Sequence, residues 1–299
     1  MKLDDEQESS NVENRRGQGG GGMGGLGGLP VSGGHLGFGS IILLIIFAVL
    51  FRVNPLELLR GGQMVAPDQT TSSAADSTDV RPIDSFVKKI LHSTETVWGK
   101  HFSDGSLSSY ASVSSYTQPK LVLFAGSIQT ACGGATAAVG PFYCPGDAKV
   151  YLDTDFFDEL SQKFGAPGQF AEGYVIAHEV GHHVQNLLGI SQKADEARQT
   201  MSKKQYNLFS VKLELQADCF AGVWGHDEQG AGKLDAGDVD QALNAATQIG
   251  DDRLQKQAQG YVVPDSFTHG SSEQRVRWFK KGFDSGDPKQ CDTFGAPSL

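Results

Sequence analysis

The chain has 299 residues and carries Lys+Arg 25 against Asp+Glu 35, a formal net charge of -10. That length suits one large domain or two small ones, with ample material for a core. The acidic balance, with no cluster of Lys and Arg, excludes nucleic acid as the main partner, because phosphate binding needs grouped cations.

Residues 1–35 are polar and then glycine-rich ("RRGQGGGGMGGLGGLPVSGG"). Such a composition buries too little apolar surface to offset chain entropy, which predicts a flexible segment. Next comes "LGFGSIILLIIFAVLFRV", residues 36–53, with no charge before Arg52. Its length is near the lower limit for a bilayer span, and it predicts a single N-terminal transmembrane anchor. A signal-peptide region would start nearer the terminus and carry an A-x-A site close behind it. Orientation is ambiguous. Arg52 and Arg60 flank the span closely and favour a cytoplasmic C-terminal side, whereas the cysteines favour the opposite side. Residues 54–78 read as a polar linker, and the folded domain as 79–299.

Within that domain, Phe86, Ile90, Leu91, Val97 and Trp98 recur at helical spacing. "KLVLFAG" and "AKVYLD" (148–153) read as strands. "FFDELSQKFG" is a short helix ended by Gly165, and further helices are predicted at about 169–188, 203–225, 238–249 and 272–282. Ser271 and Gln274 suit a capping box for the last of these. The fold class is α+β, mostly helical with a small sheet, preceded by the single transmembrane helix. The cysteines are Cys132, Cys144, Cys219 and Cys291. None forms a C-x-x-C pair, so they are two disulfides in an oxidising compartment or buried thiols. Cys132 and Cys144 bracket a Gly/Pro-rich loop, which favours that pairing; the connectivity otherwise stays open.

The chemistry concentrates in "HEVGHH", residues 178–183, on the helix predicted to stop at Gly189. His178 and His182 are i and i+4 and share one helical side, so two imidazoles can bind one Zn²⁺. Glu179 is rotated by roughly 100° and suits a base acting on water rather than a ligand. Gly181 leaves room for another helix. His183 points off the ligand face and reads as a surface residue, and Tyr174 reads as packing. A catalytic zinc needs a third ligand and an open position. Gln185 and Leu188 stand where a metzincin needs Gly and His, which excludes that class. The second helix offers "LELQADCFAG", where Glu214 and Asp218 are again i and i+4 on an otherwise apolar stretch. Glu214 is the expected third ligand. Asp218 is expected to hold the second N–H of His178 or His182. His269 is a candidate catalytic donor to the developing oxyanion.

H-E-x-x-H followed by E-x-x-x-D is the gluzincin pattern. The form "HEVGHHVQ … ELQADCFAG" resembles the bacterial neutral zinc metallopeptidases of the YpfJ type. The resemblance extends over nearly the whole chain, through "ESSNVENRRGQGG", "CPGDAKVYLDTDFF" and "HGSSEQRVRWFKKGF". It implies a zincin-like domain with one Zn²⁺ per chain, a peptide or protein substrate, and Glu179 as general base. It also implies an anchor in the inner membrane with the domain outside the cytoplasm. In zinc peptidases of this kind an edge strand pairs with extended substrate, which makes Val150, Tyr151, Leu152 and Asp153 candidate substrate-binding residues. A zinc-binding but catalytically silent scaffold is the alternative, and the presence of Glu179 argues against it.

Overall fold

The computed structural model describes residues 1–17, 81–110 and 115–299. Its main sheet has four strands in the order β1 (Val12–Asn14), β2 (Lys120–Leu123), β6 (Lys149–Leu152), β5 (Phe142–Cys144). β1 and β6 both run parallel to β2, while β5 runs antiparallel to β6. A separate antiparallel hairpin pairs β3 (Ser127–Thr130) with β4 (Gly133–Thr136).

Among the described residues, helices supply most of the mass: α1 (Pro82–Ser103), α2 (Asp155–Gln162), α3 (Gln169–Leu187), α4 (Ile190–Thr200), α5 (Lys203–Gly230), α6 (Asp238–Gln248), α7 (Asp251–Gln259) and α8 (Ser272–Ser285). α5 and α8 start with reciprocal capping boxes, Ser202 with Gln205 and Ser271 with Gln274. Each satisfies two backbone N–H groups that a helix start leaves unpaired. Phe170, Tyr174, Val180 and Val184 of α3 meet Leu215, Phe220 and Trp224 of α5 in one core, all fully buried. Phe170 stacks on Trp224 with ring centroids 5.3 Å apart. α5 and α8 cross closely at Gly222 and Gly282, where any Cβ would strike the facing backbone.

Two expectations are corrected. First, residues 1–17 are not part of a flexible segment. β1 adds to the sheet beside β2, with Val12 opposite Leu121. Ser9 and Asn11 both donate to the Glu95 carboxylate at 2.8 Å. Arg16 grips Asp84 of α1 through two bonds of 2.8 and 2.7 Å, with both side chains at most 5 % exposed. Local composition cannot reveal a strand that exists only by pairing with residues more than a hundred positions away. Second, the transmembrane helix does not belong in the fold class. Residues 36–53 and the linker 54–78 lie outside the described residues, and among the described residues no helix is long and apolar enough to cross a membrane. The described fold is α+β, mostly helical with a small sheet.

The Arg16–Asp84 pair makes the N-terminal strap testable. Arg16→Met leaves the Asp84 carboxylate buried without its cation, at a cost of about 3 kcal/mol. Urea unfolding should show that loss; an unchanged midpoint would mean the strap contributes nothing to stability.

Candidate metal centre

α3 and α5 bring the motif residues together. Gly181 makes this possible: a Cβ there would lie 3.0 Å from the Ala217 carbonyl oxygen and 3.1 Å from its Cα. The two backbones therefore approach at the level of the histidines. His178 and His182 stand edge to face, 4.8 Å between ring centroids. Glu214 of α5 reaches both: 3.2 Å to His178 Nε2 and 3.6 Å to His182 Nε2. One donor atom from each of the three lies within 4.8 Å of the others, a spacing that one cation could bridge.

The outer nitrogen of each imidazole is already committed. His178 Nδ1–H donates to Asp218 Oδ1 at 2.9 Å. Asp218 is fully buried and also takes Arg275 Nε at 2.9 Å, Arg275 Nη2 at 2.8 Å and the Tyr174 hydroxyl at 2.5 Å. His182 Nδ1 contacts Gln185 Oε1 at 2.8 Å. The direction of that bond follows from Gln185 itself. Its Nε2 donates to the Leu213 carbonyl and to Gln216 Oε1, so its Oε1 must accept from His182. Both Nε2 atoms are thus turned toward Glu214. Orienting imidazoles through their second nitrogen is how metal-binding histidines are held.

The charges are strongly coupled. Burial opposes a proton on His178, but Asp218 and then Glu214 outweigh it and raise the imidazole to about 10. Glu214 is held well below the usual carboxylate range by the two histidines and His269, despite its burial. Glu179 is 8 % exposed; burial, with Glu214 adding like charge, lifts its carboxyl to about 7 against the pull of His178. His269 comes from the loop before α8. Asp251 Oδ2 accepts the backbone N–H groups of Thr268, His269 and Gly270, and Oδ1 lies 3.2 Å from His269 Nδ1. Burial works against charge on His269, yet Asp251 and Glu214 raise it to about 9. His178, Glu179, His182, Glu214 and His269 all line one cavity of about 1010 Å³.

Other positions fall differently from the sequence expectation. Val150, Tyr151 and Leu152 lie in β6, which is paired on both sides by β2 and β5 and is almost fully buried. They cannot pair with substrate. The edge strand on this side is β5, which lines the cavity with Phe142 and Tyr143. Asp153 does reach the cavity wall, but its carboxylate caps the backbone N–H groups of Gly126 and Asp155. His183 is 1 % exposed rather than superficial, and burial lowers it to about 4. Tyr174 joins the Asp218 network rather than only packing. The cysteines pair as Cys132–Cys144 and Cys219–Cys291. Arg275 and Gln185 were not singled out as parts of the site. Gln185 carried a signal, since it follows His182 by three and returns to the same side of the helix.

Residues 1–294 match the family described as "Putative neutral zinc metallopeptidase". The chain belongs to this family. It is 50% identical over 297 residues to "Uncharacterized protein YpfJ" of Escherichia coli (strain K12), covering 99% of each chain. It is 47% identical over 195 residues to "Uncharacterized protein Rv2575" of Mycobacterium tuberculosis (strain ATCC 25618 / H37Rv), covering 62% of this chain and 65% of that one. No solved structure matches the chain. The family implies zinc, and the donor set fits it. Two imidazole nitrogens and one carboxylate oxygen, the only such group among the described residues, are the pattern of a zinc site with an open position. Protonation fits as well. With Nδ1–H given to Asp218, the contact from Nε2 to Glu214 requires a second proton on His178.

Two outcomes follow. Zinc must displace the His178 proton, so binding near pH 7 should release at least one proton, with a further fraction from Glu179. Affinity should fall at least about tenfold per unit of acidification. Calorimetry in buffers of different ionisation enthalpy measures this, and no proton release would contradict the geometry. Gly181→Ala should force α3 and α5 apart. It should cost about 1–3 kcal/mol of stability in the metal-free protein and weaken zinc binding at least tenfold. Urea melts and a competitive chelator report both, and unchanged zinc affinity would show that the close approach does not set the site.

Proposed function

We propose that this chain is a zinc-dependent peptidase that hydrolyses peptide bonds with Glu179 as general base. The observation that carries the reading is Glu179 itself: a nearly buried carboxylate beside three metal-capable side chains in one cavity.

In this reading His178 and His182 Nε2 and one Glu214 oxygen hold the ion. A zinc ion held there supplies Lewis acidity to the scissile carbonyl and to the hydrolytic water. The chain's own residues do the rest. Glu179 accepts the water's proton on its carboxylate and returns it to the leaving amine. His269, with Nδ1 held by Asp251, has Nε2 left to donate to the oxygen that gains charge on the scissile carbonyl. Arg275 is committed elsewhere: its Nε and Nη2 go to Asp218 and Tyr174, and its Nη1 donates to the Ile249 carbonyl at 3.4 Å. Asp218, Arg275, Tyr174 and Gln185 orient the imidazoles. β5, the edge strand lining the cavity, offers backbone groups to an extended peptide.

We also infer that the domain works in an oxidising compartment outside the cytoplasm. The support is that all four cysteines are consumed in two disulfides, one of them within the core.

The test is zinc content and cleavage of an unfolded protein by the full chain. Glu179→Gln should keep zinc and lose about 10²–10⁴ of the turnover. Glu214→Ala should lose the zinc. His269→Ala should keep zinc and lose about 10²–10³ in kcat. Zinc bound with no cleavage by the wild type would favour a silent peptide-binding scaffold, and cleavage indifferent to Glu179→Gln would remove the base from the mechanism.

A further inference from the structure

β5 is only three residues long and has one strand neighbour, β6. Something must hold so short an edge at a fixed height above the metal centre. Phe142 and Cys144 face away from α3: Phe142 stacks flat on Tyr151, with centroids 5.0 Å apart, and Cys144 is buried in the same cluster. Tyr143, between them, faces α3.

Its hydroxyl meets two side chains of that helix. Asn186 Nδ2 donates to it at 3.0 Å, and His183 Nδ1 lies 3.0 Å away. The direction of the second bond is settled by the other side of the ring. His183 Nε2 is 2.6 Å from the Thr117 carbonyl oxygen, which can only accept, so Nε2 carries the hydrogen. Nδ1 is then bare, and the Tyr143 O–H must donate to it. Every hydrogen in the chain Asn186, Tyr143, His183, Thr117 is assigned. Tyr143 has no proton left to offer a substrate, so it does not act on the reacting atoms.

The partners sit on the helix that carries His178, Glu179 and His182. His183 is one turn beyond Glu179, and Asn186 is one turn beyond His182 and His183. The edge strand and the reacting groups are therefore fixed to one rigid frame.

We propose that Tyr143 is a positioning residue: its hydroxyl, held between His183 and Asn186, ties β5 to α3 and sets the register of an extended peptide against Glu179. This rests on the peptidase reading above. It gives the third histidine of "HEVGHH" a task that is neither ligation nor surface solvation.

The experiment uses the full-length zinc-loaded protein, a set of peptides of increasing length, and mass-spectrometric mapping of the bonds cut in an unfolded protein. Tyr143→Phe keeps the ring and removes the hydroxyl. It should keep zinc content and hold kcat within about threefold, raise KM for the longer peptides about tenfold, and broaden the set of bonds cut. His183→Leu should do the same. His183→Asn, which restores an acceptor near the Nδ1 position, should return KM and the cleavage pattern toward wild type. Unchanged KM and pattern in Tyr143→Phe would overturn the inference. A fall in kcat at unchanged KM would overturn it too, by placing Tyr143 among the reacting groups. A wild type that binds zinc and cuts no peptide would instead sink the peptidase reading, and this inference with it.

Discussion

One buried carboxylate organises this molecule. Asp218 is fully shielded from water, and a bare charge there would be prohibitively costly. It is stable only because two helices neighbouring α5 converge on it: α3 brings His178 and Tyr174, and α8 brings the Arg275 fork. The constraint runs in both directions. The ion cluster needs the three helices in register, and its bonds in turn hold α3, α5 and α8 to one another. The glycine contacts at Gly181, Gly222 and Gly282 are consequences, since the network closes only if α3, α5 and α8 approach nearly to backbone contact.

α3 then serves three surroundings at once. One side packs Phe170 and Tyr174 into the core, one presents His178 and His182 to Glu214, and one sends His183 and Asn186 to β5. A helix so surrounded cannot shift to serve one partner without disturbing the others. The far edge of the sheet is closed by β1, so the residues before position 18 stabilise the same scaffold from the opposite end.

What the sequence made legible was local. The spacing of His178, Glu179 and His182, and of Glu214 and Asp218, is fixed by the helical repeat. A periodicity argument can therefore read which of these side chains share a face, and the structure brings them together. The capping box at Ser271 is local in the same sense. The misreadings were non-local. β1 exists only through β2. "AKVYLD" looked like an edge because β5, its partner, is three residues long and directly follows Gly140 and Pro141, so it leaves almost no alternating pattern. α4 and α7 are largely polar and exposed, so they lack the apolar stripe that marks a helix in sequence. Arg275 carries no local signal of its partner in "EQRVRWFKK". Only its burial against Asp218 distinguishes it from Arg277, which lies two residues on and is half exposed.

The charge count at the centre links the metal to the base. Without a metal, the imidazolium of His178 and the guanidinium of Arg275 face the carboxylates of Glu214 and Asp218, with the His269–Asp251 pair beside them. Glu179 stands outside these pairs, and burial, with Glu214 adding like charge, pushes its carboxyl up to about 7. Exchanging the His178 proton for a divalent cation adds one net positive charge. Ionisation of Glu179 cancels it, and a nearby cation favours that ionised form. In the proposed mechanism, an ion held by His178, His182 and Glu214 would therefore favour the ionised form of Glu179, and the ionised base would in turn favour the ion; a purely structural metal clip has no need of such a carboxylate beside it.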